Sequence, residues 1–274
     1  MKNAFSIDLE DWFCVYNFAQ VINYSEWDRC ELRVVQNTAR LLTLLDKHET
    51  KATFFVLGWI AERCPDLIRE IAAAGHEIAT HGYGHIIVKD VTPEEFERDL
   101  VASLRAIQQC VNTDVIGYRA PSFSVVANKP WIFDILAANG IKYDSSIFPI
   151  GLHPDYAAAG TSLSVYNITE SIVEFPLSCF RQFGITFPCS GGGYLRMFPY
   201  RYTAYGITRC NKDNRPAVIY IHPWEIDPNQ PRMTHVPLLK KIRHYVNLDK
   251  TEGRVDRLLS EFAFDTCASI LGLR

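Results

Sequence analysis

The chain has 274 residues, 48% of them hydrophobic, with a formal net charge of -3 at pH 7 and a pI near 6.2. That is enough apolar material for one full core without staples, and no basic excess exists to give a general attraction to nucleic acid or anionic lipid, so a neutral or small substrate fits better. Eight cysteines without a C-x2-C pair exclude a zinc knuckle or disulfide framework and read as buried, reduced thiols.

Carboxylates stand at Asp8, Glu10 and Asp11, where a secretory leader would need an apolar run. No stretch approaches the ~20 apolar residues of a membrane span. The expectation is a soluble, cytoplasmic protein without a membrane span.

Short apolar segments alternate with helical ones, the pattern of a parallel sheet or barrel wrapped by helices. Ala4 to Ile7 starts a strand that ends at Asp8-Leu9-Glu10-Asp11. Between Arg33 and His48, the helical spacing of Val34, Thr38, Leu41 and Leu45 predicts a helix with that face inward. Ala52 to Val56 is strand-like, and Pro65 to Ala74 reads as a helix that opens on proline and stops at Gly75. Glu77 to Thr80 is a short strand delivering His81. Thr92-Pro93-Glu94-Glu95 is a capping box that opens a helix to about Cys110, with Phe96, Leu100, Leu104 and Ile107 as its apolar face. Val115 to Tyr118 predicts a strand ending at Arg119-Ala120-Pro121, and Pro130 to Asn139 a helix stopped by Gly140.

Tyr143-Asp144 and Glu174-Phe175-Pro176 come next, then the strongest late strand, Ala217 to Ile221, which ends at His222-Pro223-Trp224-Glu225. The stretch from about Gly151 to Asn214 reads as loop-rich, with Ser190-Gly191-Gly192-Gly193-Tyr194 over or beside the rim. No Lys-Ser/Thr follows the triple glycine, so it reads as a loop requirement and not a phosphate cradle. In the segment Leu238 to Arg274, Leu258, Leu259 and Phe262 suggest a helix packing back on the body.

Polar or charged residues thus close one strand after another. In a parallel α/β barrel all strands end at one face, so Asp8, His81, Arg119, Asp144 and His222 are expected on one rim. His81 and His85, with two glycines between them, suit a tight loop on which both imidazoles point at one ion. With an oxygen from Asp8, Glu10 or Asp11 this makes three protein ligands and an open position, the form of a catalytic metal site. Each residue also has a plainer reading. Asp8 and Arg119 could be a structural ion pair, His222 a capped core histidine, Asp144 a turn or helix-cap carboxylate, and Trp12, Tyr194 and Trp224 core aromatics. His48, His76 and His153 have no motif around them and receive no role.

Taken together, these motifs resemble those of the NodB-homology polysaccharide deacetylases, carbohydrate esterase family 4, over about residues 4 to 225. The resemblance rests on the acidic motif Asp8 to Asp11, the pair His81 and His85, Arg119 with Pro121, Asp144 and His222. The stretches Asp-Leu-Glu-Asp-Trp-Phe, Arg-Ala-Pro-Ser-Phe-Ser, Gly-Gly-Gly-Tyr and His-Pro-Trp-Glu-Ile-Asp-Pro, with Arg243 to Asp249, are similar to the subgroup tied to exosortase (PEP-CTERM) exopolysaccharide clusters. The resemblance implies a single α/β domain, a distorted barrel of seven to eight β/α units. A catalytic core would span 1–225 with a loop-rich insertion at about 151–214, followed by a helical extension over 226–274.

The implied activity is metal-dependent removal of N-acetyl groups from an acetamido sugar in a polysaccharide or its precursor. The implied cofactor is a divalent metal, zinc by preference, on His81, His85 and a carboxylate. The family carries two adjacent aspartates, base then ligand, whereas here the order is Asp8, Leu9, Glu10, Asp11. Asp8 keeps the role of base. Strand alternation favours Glu10 as ligand, but a strand already turning into loop would let Asp11 reach the ion; Asp11 is preferred here, with Glu10 the near-equal alternative. Arg119 would hold and orient Asp8, and His222 would protonate the leaving nitrogen with Asp144 favouring its charged form. Pro121, Tyr194 and Trp224 would meet the sugar. Two other readings remain, an allantoinase-like cyclic amide hydrolase and an inactive carbohydrate-binding protein.

Overall fold

The computed structural model of the chain describes residues 1–125, 129–150 and 160–274. Residues 151–159, the start of the stretch expected to be loop-rich, and His153 with them, lie outside the described residues. The fold is a single α/β domain organised on one curled sheet.

Strand β1 (Asn3–Leu9) is buried along its whole length. Helix α1 (Val34–Lys47) turns Val34, Thr38, Leu41 and Leu45 inward as their spacing predicts. Strand β2 (Thr53–Val56) leads into the short helix α2 (Gly58–Arg63) and then α3 (Pro65–Ala73), which has proline in its first turn. Strand β3 (Glu77–Thr80) precedes α4 (Pro93–Gln108), whose capping box between Thr92 and Glu95 is formed. Strand β4 (Gly117–Tyr118), α5 (Trp131–Ala138) and β5 (Tyr143–Asp144) follow.

The region expected to be loop-rich is more regular than that. It holds β6 (Tyr166–Asn167), β7 (Val173–Glu174), an antiparallel hairpin of β8 (Cys179–Gln182) and β9 (Ile185–Pro188), α6 (Gly192–Met197) and the long α7 (Tyr200–Lys212). Helix α7 buries Thr203, Gly206, Ile207 and Cys210, a face too small and polar to stand out as apolar periodicity. Strand β10 (Val218–Ile221), α8 (Leu238–Tyr245), α9 (Leu248–Glu261), β11 (Phe264–Asp265) and α10 (Cys267–Ile270) complete the chain. Helix α9 packs Leu258 and Leu259 back on the body, as expected, while Phe262 is half-buried just beyond its end.

The nine strands run in the order β10-β1-β2-β3-β4-β5-β7-β6, with β11 also on β1. All pairings are parallel except that of β6 with β7. Among the described residues nothing pairs β6 with β10, so the barrel implied by the resemblance is a half-barrel, open between those edges.

Register decides which side chains enter the curl. Leu9, Val56, Thr80, Tyr118, Asp144 and Glu174 form one continuous row of partners. Side chains in register on parallel strands share a face. Leu9, Val56 and Tyr118 pack with Leu41, Ile68 and Leu100 of the helices, so this row faces outward. The alternate positions Phe55, Ala79, Tyr143 and Tyr220 form a second cluster inside the curl. Ser6, Asp8 and Glu10 share that inner parity, as do His81, Arg119 and Ser145, each one residue past the outward row. His222, two residues past Tyr220, shares it too.

Candidate active site and metal centre

A cleft at the carboxyl ends of the strands is lined by Asp8, Glu10, Tyr16, His81, His85, Phe123, Tyr220, His222, Trp224 and Arg243, among others. Asp8 and Glu10 reach it from the end of β1, where both are buried. Glu10 Oε1 lies 2.9 Å from His81 Nε2 and 3.1 Å from His85 Nε2. One ligand atom from each of the three can be chosen so that all lie within 4.8 Å of one another.

The tautomer of His81 follows from its other nitrogen. Nδ1 is 2.8 Å from the carbonyl oxygen of Arg119, which can only accept, so Nδ1 carries the proton. In a neutral ring Nε2 then presents a lone pair to a carboxylate oxygen. A divalent cation can take the place of a proton between such a lone pair and the carboxylate, and two imidazoles with one carboxylate are a donor set that fits a metal. Burial would push the Glu10 carboxyl up, but His85, His222 and the hydrogen bonds of both loop histidines hold it well below its ordinary range.

The histidine loop is pinned from α4. The Asp99 carboxylate accepts from the backbone N–H groups of Tyr83 (2.8 Å) and Gly84 (3.0 Å). Gly82 has φ +74°, and a Cβ there would meet the same carboxylate at 2.7 Å, so glycine is required. His85 itself is left-handed, with φ +54°.

Asp8 Oδ1 accepts from Arg119 Nη1 at 2.6 Å, and Oδ2 stands 3.9 Å from His222 Nε2. Arg119 is wholly buried and held on every side. It donates to Ser6 Oγ (2.8 Å) and to the carbonyl and hydroxyl of Ser145 (3.0 Å each), and its guanidinium lies 4.0 Å from the centre of the Phe55 ring. Such a cation fixes the carboxylate's orientation as well as compensating its charge.

His222 is held by residues that sequence reasoning left unassigned. Its Nδ1 is 3.0 Å from Glu225 Oε2, and Glu225 Oε1 accepts from Arg196 Nε at 2.8 Å. The His222 ring stacks on Trp224 at 5.3 Å, leaving Nε2 towards Asp8 and Glu10. Burial opposes the His222 cation, but Glu10, Glu225 and Asp8 outweigh it and hold its pKa up at about 9. Burial likewise works to raise the Glu225 carboxyl, yet Arg196 and His222 hold it at about 2. The signal for Glu225 was its place three residues after His222, where it caps the turn by accepting from the His222 N–H at 3.0 Å. Arg196 carried no such signal.

Three expectations need correction. Asp11, the preferred ligand, faces away from the histidines. Its carboxylate accepts from the N–H groups of Trp12 (2.8 Å), Arg33 (2.7 Å) and Val34 (2.8 Å) and so closes the amino-terminal end of α1. The strand alternation of β1 persists to Glu10, whose carboxylate is the one that meets His81 and His85.

Asp144 is not the partner of His222. Its row puts it on the outer face, where Ser146 donates to it and Glu174 stands beside it. Asp144 Oδ2 and Glu174 Oε2 have no donor among the described N–H and O–H groups. Two carboxyls buried side by side disfavour each other's ionisation, which favours one of them keeping its proton. Burial raises both pKa values, Glu174 the more because the Asp144 charge adds to it.

Of the expected sugar contacts, Trp224 lines the cleft, but Pro121 and Tyr194 do not; their neighbours Ser122, Phe123 and Gly193 line it instead.

Residues 23–144 match the family described as polysaccharide deacetylase, and residues 145–272 match a domain of unknown function (DUF3473). The chain is 33% identical over 127 residues to the peptidoglycan deacetylase of Helicobacter pylori, covering 46% of this chain and 42% of that protein. It is 38% identical over 85 residues to the chitooligosaccharide deacetylase of Sinorhizobium fredii, covering 31% of this chain and 40% of that protein. The chain thus spans less than half the length of these relatives. A Mycobacterium smegmatis protein proposed to be a polysaccharide deacetylase has a crystal structure that aligns with 98% of this chain and 88% of its own. The TM-score is 0.63 at 20% identity, a likeness of fold alone.

Proposed function

The chain carries a polysaccharide deacetylase domain of the NodB-homology, carbohydrate esterase family 4 kind, and from that premise we propose that it is a metal-dependent hydrolase removing N-acetyl groups from an acetamido sugar. The substrate class is an N-acetylated polysaccharide, oligosaccharide or precursor, in keeping with relatives named for peptidoglycan and chitooligosaccharides. The observation that carries this reading is the meeting, in one cleft, of Glu10, His81 and His85 with the Asp8–Arg119 pair and His222.

An amide is a poor electrophile with a poor leaving group, so its hydrolysis needs an activated nucleophile, charge stabilisation and a proton for the amine. A divalent cation, zinc by preference for two imidazoles and a carboxylate, would be held by Glu10, His81 and His85 and would supply Lewis-acid polarisation of the acetyl oxygen and acidification of a water. Asp8 acts as the base through Oδ2, the oxygen that Arg119 leaves facing the cleft. His222 delivers a proton from Nε2 to the departing nitrogen. Glu225 fixes the His222 ring through Nδ1, and Arg196 fixes Glu225. Trp224, Tyr16, Phe123 and Tyr220 give the cleft an aromatic lining suited to the apolar face of a sugar ring.

Acetate release tests the proposal. Purified protein is expected to release acetate from N-acetylglucosamine oligomers, to stop on chelation, and to recover with added zinc. Turnover of allantoin without acetate release from any acetamido sugar would overturn it.

A further inference from the structure

The net charge of -3 is unevenly spread. From Pro228 to Leu248 the chain has no aspartate or glutamate, but it has Arg232, Lys240, Lys241 and Arg243. Among the described residues none of these four cations is in an ion pair; Lys240 reaches Gln20 and Lys241 the carbonyl of Thr234.

The helix within this stretch, α8, is turned the opposite way from an ordinary surface helix. Its polar His244 is wholly buried, stacked on Trp224 at 4.3 Å and against the tilted ring of Phe18 at 4.4 Å. At about 100° per residue, Leu238, Leu239 and Ile242 fall on the side opposite His244. They are 71%, 80% and 51% exposed. Lys241 and Arg243 border this apolar ridge. The helix is firmly seated, because Arg196 Nη1 donates to the carbonyls of Arg243 (2.9 Å) and His244 (2.8 Å).

We propose that α8 is an interfacial docking element for an anionic phospholipid surface. Leu238, Leu239 and Ile242 enter the headgroup boundary while Lys241, Arg243 and Arg232 meet lipid phosphates. Charge complementarity selects this occupant. A second copy docked face to face would set these cations against their own equivalents, with no carboxylate in the stretch to relieve them. Arg243 also lines the catalytic cleft, so docking holds the mouth of the cleft beside the bilayer.

Vesicle sedimentation with the full chain tests this. The protein is expected to bind phosphatidylcholine vesicles containing about 30% phosphatidylglycerol, and to bind pure phosphatidylcholine at least about 10-fold more weakly. Raising salt from about 0.1 to 0.5 M should weaken the binding. The triple variant L238S/L239S/I242S should lose about 10-fold or more in affinity, and R232E/K241E should do so independently. If the triple variant does not fold, the charge variant decides. The proposal is overturned if wild-type protein ignores the anionic vesicles, or if folded variants bind them as well as wild type. It is equally overturned if the same substitutions abolish self-association or binding of a soluble protein while vesicle binding is absent.

Discussion

Asp8 and Asp11 stand three positions apart and do unrelated work, which makes their substitution informative. Asp8→Asn keeps the shape but removes the proton acceptor, so turnover is expected to fall by roughly 10²–10⁴-fold with metal still bound. Asp11→Ala is expected to leave metal affinity unchanged and to cost roughly 1–3 kcal/mol of stability, because three backbone N–H groups lose their acceptor. Zinc titration and thermal unfolding of both variants check this; metal loss in Asp11→Ala alone would mean that the carboxylates had been exchanged. The histidine pair, Asp8 and Arg119 were legible in the sequence as strand-end polar residues. What misled the assignment of Asp11 was the unknown point at which β1 stops alternating. For Asp144 it was the register of β5 against β4, which single-residue patterns do not reveal.

At the scale of elements, Gly191 and Gly192 shape the acid's support, while Gly193 lines the cleft. Gly191 has φ +96°, and a Cβ on Gly192 would collide with the carboxylate of Glu225. Gly192→Ala is therefore expected to push Glu225 off His222 and lower kcat by about 10-fold or more, with KM changed less. Metal content should stay at the wild-type level, and unchanged kcat in this variant would remove Glu225 from the account. The main strands and helices up to α5 were legible because their apolar periods and caps agree with their final environment. Between Gly160 and Lys212 the signal fails. The strands β6 and β7 are two residues each, and α7 packs through Gly206 against Cys189, a contact made by absence of a side chain.

Across the whole molecule, buried carboxyls give stability a two-sided dependence on pH. Glu225 has its pKa lowered from 4.5 to about 2, so its contribution, roughly 3 kcal/mol, is present above its unfolded value and lost as pH falls towards 2. Asp144 and Glu174 are raised, so their contribution is full below the ordinary carboxylate range and declines as pH climbs through their folded values. Melting temperatures between about pH 5 and 8 should therefore fall less steeply in Asp144→Asn than in wild type; an unchanged slope would mean the pair keeps no proton. The half-barrel gathers the site because the ends of its parallel strands are level, which the alternation of strands and helices foretold. That the curl stays open between β6 and β10 among the described residues was not legible, since closure depends on edge pairings with no local signature.

The claim on which the rest depends is that Glu10, His81 and His85 share one divalent ion. The most direct measurement is an anomalous-difference map at the zinc absorption edge from crystals grown with zinc. The expected result is a single strong peak in the cleft about 2.0–2.2 Å from a Glu10 oxygen and from Nε2 of both histidines. A map with no peak there, or with the ion on Asp11 instead, would contradict it.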